Sequence, residues 1–213
     1  MNTEEIQQPM NSRFFSKSYG SVHTFYLSGG ITAPENYIDV IDAIRNASNN
    51  DVIQIVINSG GGDLMTGLQL REAMIKSQAH IQCIVEGQCA SAATMIFLAG
   101  HELIASEFSL FMFHNYSGGT FGKGGEMHEQ ISFERRWSIQ LMQNIYKEFL
   151  TKSEINAMLD GKDFWMTGNE VMDRIQQVHE KKAKKAQADA KSKAARKAKK
   201  QSSKPSVLNE DAE

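Results

Sequence analysis

Ser91 stands in the stretch GQCASAATMIFLAG (residues 87–100), where a turn rich in small residues runs into an apolar segment. Ala92, Ala93, Met95, Ile96, Phe97, Leu98 and Ala99 give that segment no polar face, which reads as a helix buried all round. A hydroxyl at the mouth of such a helix has backbone N–H groups and the positive helix end beside it. A nucleophile placed there can stabilise an anion forming next to it. Serine is also a preferred helix N-cap, so Ser91 has a plain structural reading as well.

Acyl transfer by a serine needs a base for the hydroxyl proton, an orienter for the base and donors for the oxyanion. Of the six histidines, His114 closes the apolar run Leu110–Phe113 and precedes a glycine-rich stretch, which sets it at a strand end. Parallel sheets build their sites at strand ends. His101, in a turn, and His128, on a charged helix face, are its rivals; His23, His80 and His179 lie at element starts or in the tail. For the oxyanion, the turn NSGGGD (residues 58–63) follows an apolar strand and precedes a helix, and glycines there let backbone N–H groups approach a ligand closely. The same glycines make a poor phosphate loop, because no Lys-Ser/Thr follows them. GGTFGKGG (residues 118–125) is no nucleotide loop either, since Gly124 follows Lys123. No nucleotide, cofactor or metal site is expected.

The elements that must position these residues alternate. His23–Ile31 reads as a strand, Pro34 opens a helix with Ile38, Ile41 and Ile44 on one face, and Asp51–Ser59 is a β-branched strand ending in Gly60–Gly62. A helix follows over about 63–76, then a strand over His80–Gly87 that feeds the serine helix, and two short strands within His101–Asn115. Tyr116–Glu126 is a glycine-rich loop. Glu126–Leu150 is a long helix, Ser153–Leu159 a shorter one, and NEVMDRI (residues 169–175) a last one. Repeated strand-then-helix units predict an α/β fold with a largely parallel sheet. The long helix carries Ile131, Phe133, Trp137, Leu141, Met142, Ile145 and Phe149, more apolar surface than one packing face uses, and so predicts an interface.

The chain of 213 residues is 41% hydrophobic, enough for one domain with a sizeable core. Cys83 and Cys89 match no disulfide framework or zinc spacing, which points to a reducing, cytoplasmic setting. No apolar run predicts a signal peptide or a membrane span. The net charge of −2 hides a split: residues 1–179 sum to about −8, and the Lys/Ala-rich stretch 180–213 to about +6. We read 1–20 as a flexible segment, 21–179 as the folded domain, and 180–213 as a solvated tail, partly helical or disordered. That tail could make a weak, salt-sensitive contact with a polyanion.

Three motifs occur in order: INSGGG (57–62), EGQCASAAT (86–94) and FMFHN (111–115), followed by KDFWMTGNEV (162–171). Together they resemble the ClpP family of serine peptidases, the proteolytic chambers of Clp machines, from about His23 to Val171. The resemblance implies the ClpP/crotonase-like α/β fold, with a catalytic triad of Ser91, His114 and Asp163. It also implies an oxyanion hole from the N–H groups of Gly61 and Ala92, and a polypeptide substrate. In the family the aspartate matched by Asp163 precedes an aromatic-rich turn and a helix; Asp160, three residues from Asp163, is the alternative acid. The resemblance further implies a homo-oligomer of stacked rings, interlocked through the long helix, and a Clp ATPase as partner. The sequence departs from the family at Gly60, where proline is common, and after the last helix, where the basic tail begins. Such departures are similar to those of phage and prophage ClpP-like proteases that process capsid or scaffold proteins. Two other readings share the fold: a crotonase-like acyl-CoA enzyme and a non-catalytic ring protein.

Overall fold

A computed structural model describes residues 20–202, with side chains through Lys193. The segment 1–19 and the end of the tail, 203–213, lie outside the described residues. The elements are strand β1 (Val22–Ile31), a 3-10 turn (Pro34–Tyr37), α1 (Ile38–Asn46), β2 (Val52–Gly62), α2 (Leu64–Lys76), β3 (His80–Ala90), α3 (Ala92–Phe97), β4 (Glu102–Ala105), β5 (Leu110–Phe113), α4 (Gly124–Tyr146), α5 (Lys152–Leu159), β6 (Phe164–Thr167) and α6 (Gly168–Ser202). The expected α/β class is the one observed: a six-stranded sheet, parallel except for β6, carries the helices.

Strand order explains where the site forms. β1, β2 and β3 are adjacent and parallel. β3 then changes partner along its length: Gln82–Val85 pair with β4, and Gln88–Ala90 with β5. Ser109 bridges this fork, its buried hydroxyl donating to the Val85 carbonyl at 3.0 Å. Register shifts fall between Ser28 and Gly30 on β1 and between Ile57 and Ser59 on β2. Irregular pairing thus collects at the carboxyl ends of the central strands, where bulges re-aim backbone toward a site.

One sheet face is packed by Ile53, Ile55, Ile57, Ile81, Cys83 and Val85, all at most 4% exposed. The β-branched alternation along β2 and β3 dictates this, since successive side chains leave opposite faces. α2 is started by Asp63, whose carboxylate accepts from the Thr66 N–H at 2.7 Å; that bond holds its pKa below the usual aspartate range. α3 is buried at every residue, as the absence of a polar face predicts. On the sheet's other face Thr24, Gln54, Gln82 and Glu102 lie in register across four strands, joined side chain to side chain at 2.7–3.2 Å.

Four expectations change. Ile38 is 61% exposed while Ile41 and Ile44 are buried; steps of three residues fall about 60° short of a full turn each, so Ile38 and Ile44 sit about 120° apart. Gly60–Gly62 is not a turn but the end of β2, hydrogen-bonded to Gly30 and Ile31. The aromatic segment after Asp163 is not a turn but strand β6, antiparallel to β5. The last helix does not stop near residue 175; α6 runs unbroken through the 179/180 position to Ser202, exposed along 180–193 apart from its packed start.

Candidate active site

The turn into α3 holds Ser91 at φ 55° and ψ −128°, the one positive φ of a non-glycine among the described residues. Such a backbone costs on the order of 1–3 kcal/mol and persists only where the surroundings impose it. Here they do. The Ser91 N–H donates to the Met112 carbonyl of β5 at 2.9 Å, and the Ser91 carbonyl accepts from the Thr94 N–H at 3.0 Å and from its hydroxyl at 2.7 Å. Thr94 in turn meets the buried Tyr146 hydroxyl of α4 at 2.7 Å. The Ser91 side chain makes no capping bond to α3. Its Oγ lies 2.7 Å from His114 Nε2 instead. The capping reading of this serine is therefore not the one adopted.

Because Ser91 pairs with Met112, and His114 lies two residues further along the same strand direction, the sheet itself sets the Ser–His distance. The rival histidines are placed elsewhere. His101 Nδ1 accepts the Ile81 N–H at 2.9 Å, so that ring is spent on the β3–β4 junction, stacked on His80. His128 is exposed on α4.

The glycines of β2 form the opposite wall. A Cβ on Gly61 would sit 2.6 Å from the Ala90 carbonyl oxygen, 2.6 Å from Ser91 Cβ and 3.0 Å from the Ala92 nitrogen, and its φ is +90°. Only glycine fits that approach. Ala92 is the first residue of α3, where its N–H has no intrahelical acceptor. The Gly61 N–H is engaged with Ser59 Oγ at 3.1 Å, and Ser59 Oγ donates to the Gly29 carbonyl at 2.6 Å. Ser59 is 1% exposed. Sequence reasoning passed over Ser59, Thr94 and Ser109. The signal available for Thr94 was its spacing of three from Ser91 at a helix start.

The carboxylates are less settled. β5 and β6 pair antiparallel up to Phe113↔Phe164, so the next step of the register sets Asp163 opposite His114. Residues directly opposite on one sheet face have Cβ atoms about 4.5–5.5 Å apart. Asp163 is exposed, and its carboxylate makes no hydrogen bond to the His114 ring among the described residues. Asp160 ends α5 and lines a cleft of about 310 Å³ with Asn115, Arg135 and Ser138. Among the described residues no group of three or more His, Cys, Asp or Glu side chains is placed to hold a metal ion, and no helix is long and apolar enough to cross a membrane.

The profile of the Clp protease family matches residues 32–182. Relatives named ATP-dependent Clp protease proteolytic subunit include one from Borreliella afzelii, 23% identical over 69% of this chain and 77% of its own length. Another, from Bacteroides thetaiotaomicron, is 27% identical over 68% of this chain and 64% of its own length. A third, from Bacteroides fragilis, is 25% identical over 68% of each.

Proposed function

The chain belongs to the Clp protease family, a family of peptidases, and on that premise we propose that it is a serine endopeptidase in which Ser91 attacks the peptide carbonyl. The observation that carries this reading is the 2.7 Å contact between Ser91 Oγ and His114 Nε2 at a strained backbone turn. His114 accepts the serine proton as the Oγ–carbonyl bond forms, then delivers it to the leaving amine. Water attacks the acyl-enzyme in the second half, with the same ring as base. The strand register supports Asp163 as the group that fixes the His114 tautomer through Nδ1. Its carboxylate must close on the ring when substrate or a neighbouring subunit orders that edge, since catalytic hydrogen bonds often tighten only in the complex.

The oxyanion falls between the Ala92 N–H and the Gly60–Gly62 strand end. Gly61 serves there as a donor if substrate oxygen replaces Ser59 Oγ as its acceptor. The Ser–His contact argues against the acyl-CoA reading, in which no serine nucleophile is required. A fluorophosphonate probe should label the wild-type chain at Ser91 and leave Ser91→Ala unlabelled; equal labelling of both would remove Ser91 from the mechanism.

Assembly through α4 belongs to the same proposal. The buried residues of α4 are Ser138, Met142 and Tyr146, all in its second half; its first half has none, and Ile131 and Phe133 there are 55% and 59% exposed. Large apolar side chains left exposed on a helix favour burial against a second copy, and large aromatics such as Phe133 anchor such contacts. In analytical ultracentrifugation the wild type should sediment far above its 23.8 kDa, and Phe133→Glu with Trp137→Glu should shift it toward smaller species. A wild-type monomer with full peptidase activity would rule this assembly out. A Clp ATPase as partner is tested by adding one to a casein-degradation assay and looking for ATP-dependent acceleration.

A further inference from the structure

At the carboxyl end of α4 lies a cavity of about 390 Å³, lined by none of the proposed triad residues and by neither Ile131 nor Phe133. It is formed where α6, in its unbroken course, crosses the end of α4 and the α3–β4 turn. Its floor is apolar, from Leu98, Ile145, Ile175 and Val178. Its rim is basic. Arg71 reaches it from α2, and its Nε is buried without a hydrogen-bond partner; Lys147 has no ion-pair partner among the described residues; Lys182 is held by Glu148. A buried N–H donor with no acceptor is destabilising, and an incoming anionic group can relieve it.

The chain carries a segment of matching chemistry. Residues 181–206 hold no acidic residue except Asp189, whereas Val207-Leu208-Asn209-Glu210-Asp211-Ala212-Glu213 puts two apolar side chains directly before three carboxylates. Apolar residues matched to the floor and carboxylates matched to the rim give both shape class and charge complementarity. The geometry of α6 decides which copy supplies the segment. From Val178 to Ser202 the helix rises roughly 36 Å away from the cavity. The six residues from Ser203 to Leu208 span at most about 20 Å even when fully extended. With α6 intact, a chain cannot return its own Leu208 to its own cavity.

We propose that this cavity is a docking site for residues 207–213 of a second copy of the chain, exchanged between subunits as an arm carried out by α6. The arm lies outside the Ser–His site, so its loss changes association and leaves hydrolysis of short peptides intact.

The test uses full-length chains in two pools, one carrying Val178→Cys and the other Leu208→Cys, mixed under mild oxidation and read as a mixed disulfide dimer on non-reducing gels. The native Cys83 and Cys89 are buried, and burial pushes the Cys83 thiol up to about 12, so neither competes. The mixed dimer should form only on mixing. Its yield should fall about tenfold when Glu210→Lys and Asp211→Lys are added to the second pool, and recover when Lys147→Glu and Lys182→Glu are added to the first. Lys147 and Lys182 are exposed, so their reversal should not disturb folding. No mixed dimer, a dimer indifferent to the charge reversals, or self-closure within one chain carrying both cysteines at high dilution would each overturn the proposal.

Discussion

His114 stands between two different kinds of structure. On the Nε2 side stands the Ser91 turn, fixed by the Met112 carbonyl, the Thr94–Tyr146 pair and the glycine backbone of β2, with α3 wholly buried behind it. Across the β5–β6 register stands Asp163, exposed, preceding a four-residue strand at the sheet edge. The first region is over-determined, so it stores a strained φ and holds a 2.7 Å contact. The second has the right register and an open approach. Under the proposed mechanism, a site built this way keeps Ser91 and His114 in contact and leaves the orientation of the ring to whatever orders the edge.

The largest effect expected is at the rigid side. Ser91→Ala should lower kcat for a fluorogenic peptide by about 10⁴–10⁶ while leaving the melting temperature near that of wild type. More than about a tenth of the wild-type turnover would show that another group attacks. At the open side the effect is smaller. Asp163→Asn should cost about 10²–10⁴ in kcat, because an amide no longer fixes the imidazole tautomer. Asp160→Asn should cost less than about threefold, since Asp160 faces the Asn115–Arg135 cleft. A larger loss at 160 than at 163 would reverse the assignment and place the acid on α5.

The contrast is sharpest in two glycines. Gly61→Ala forces a Cβ to within 2.6 Å of Ala90 O and Ser91 Cβ at φ +90°; it should destabilise the fold by about 2–4 kcal/mol and abolish labelling of Ser91. Gly124→Ala, with nothing within 4 Å of its Cβ at the start of α4, should be neutral or stabilising by up to about 1 kcal/mol. Thermal melts of both, with probe labelling, measure how much of the strain at the serine turn is imposed by β2. A Gly61→Ala chain that melts and labels like wild type would break the picture of a packed, over-determined elbow.

That same contrast governs how much could be read from sequence. The serine turn was legible because its cause is local: small residues, then an apolar run with no polar face. His114 was legible for a similar reason, ending a short apolar run just before glycines. β6 was not. Four residues, Phe164–Thr167, carry no periodicity of their own, and their strand state comes from pairing with β5 more than fifty residues earlier in the chain. Gly60–Gly62 read as a turn because glycine usually breaks strands; here pairing with Gly30 and Ile31 extends the strand, and close approach to Ser91 is what requires the glycine. The Ser59 hydroxyl was invisible for a third reason. Its bonds to Gly29 and Gly61 exist only once the register shifts have set the ends of β1 and β2 side by side.

The smallest effect expected separates the two sides by acid. Glu154 on α5 and Arg174 on α6 form a two-pronged ion pair at 2.8 and 3.1 Å, bracketing the segment that carries Asp163. The guanidinium, helped by the Thr151 N–H and hydroxyl, holds the Glu154 pKa down at about 2, against 4.5 in the free side chain. A carboxylate depressed in the fold stabilises it above its unfolded pKa, and that stabilisation is lost as pH falls from about 4.5 toward about 2. So near the surface, solvent screening limits the amount to about 2 kcal/mol. The serine turn has no such carboxylate: it is held by backbone bonds and buried side chains. Hydrogen exchange at pH 3 and pH 7 should therefore show residues 160–167 losing protection in acid while residues 89–92 keep theirs. Other depressed carboxylates, Asp63 and Glu148 among them, add to the global acid loss, so Glu154→Gln supplies the control. In that variant residues 160–166 should be less protected at pH 7 and respond less to pH over this range, while Thr167, whose N–H and hydroxyl donate to the likewise depressed Glu170 carboxylate, keeps some acid sensitivity. Equal acid sensitivity of the two segments, or an unchanged pH response in Glu154→Gln, would show that the edge carrying Asp163 is as firmly built as the turn carrying Ser91.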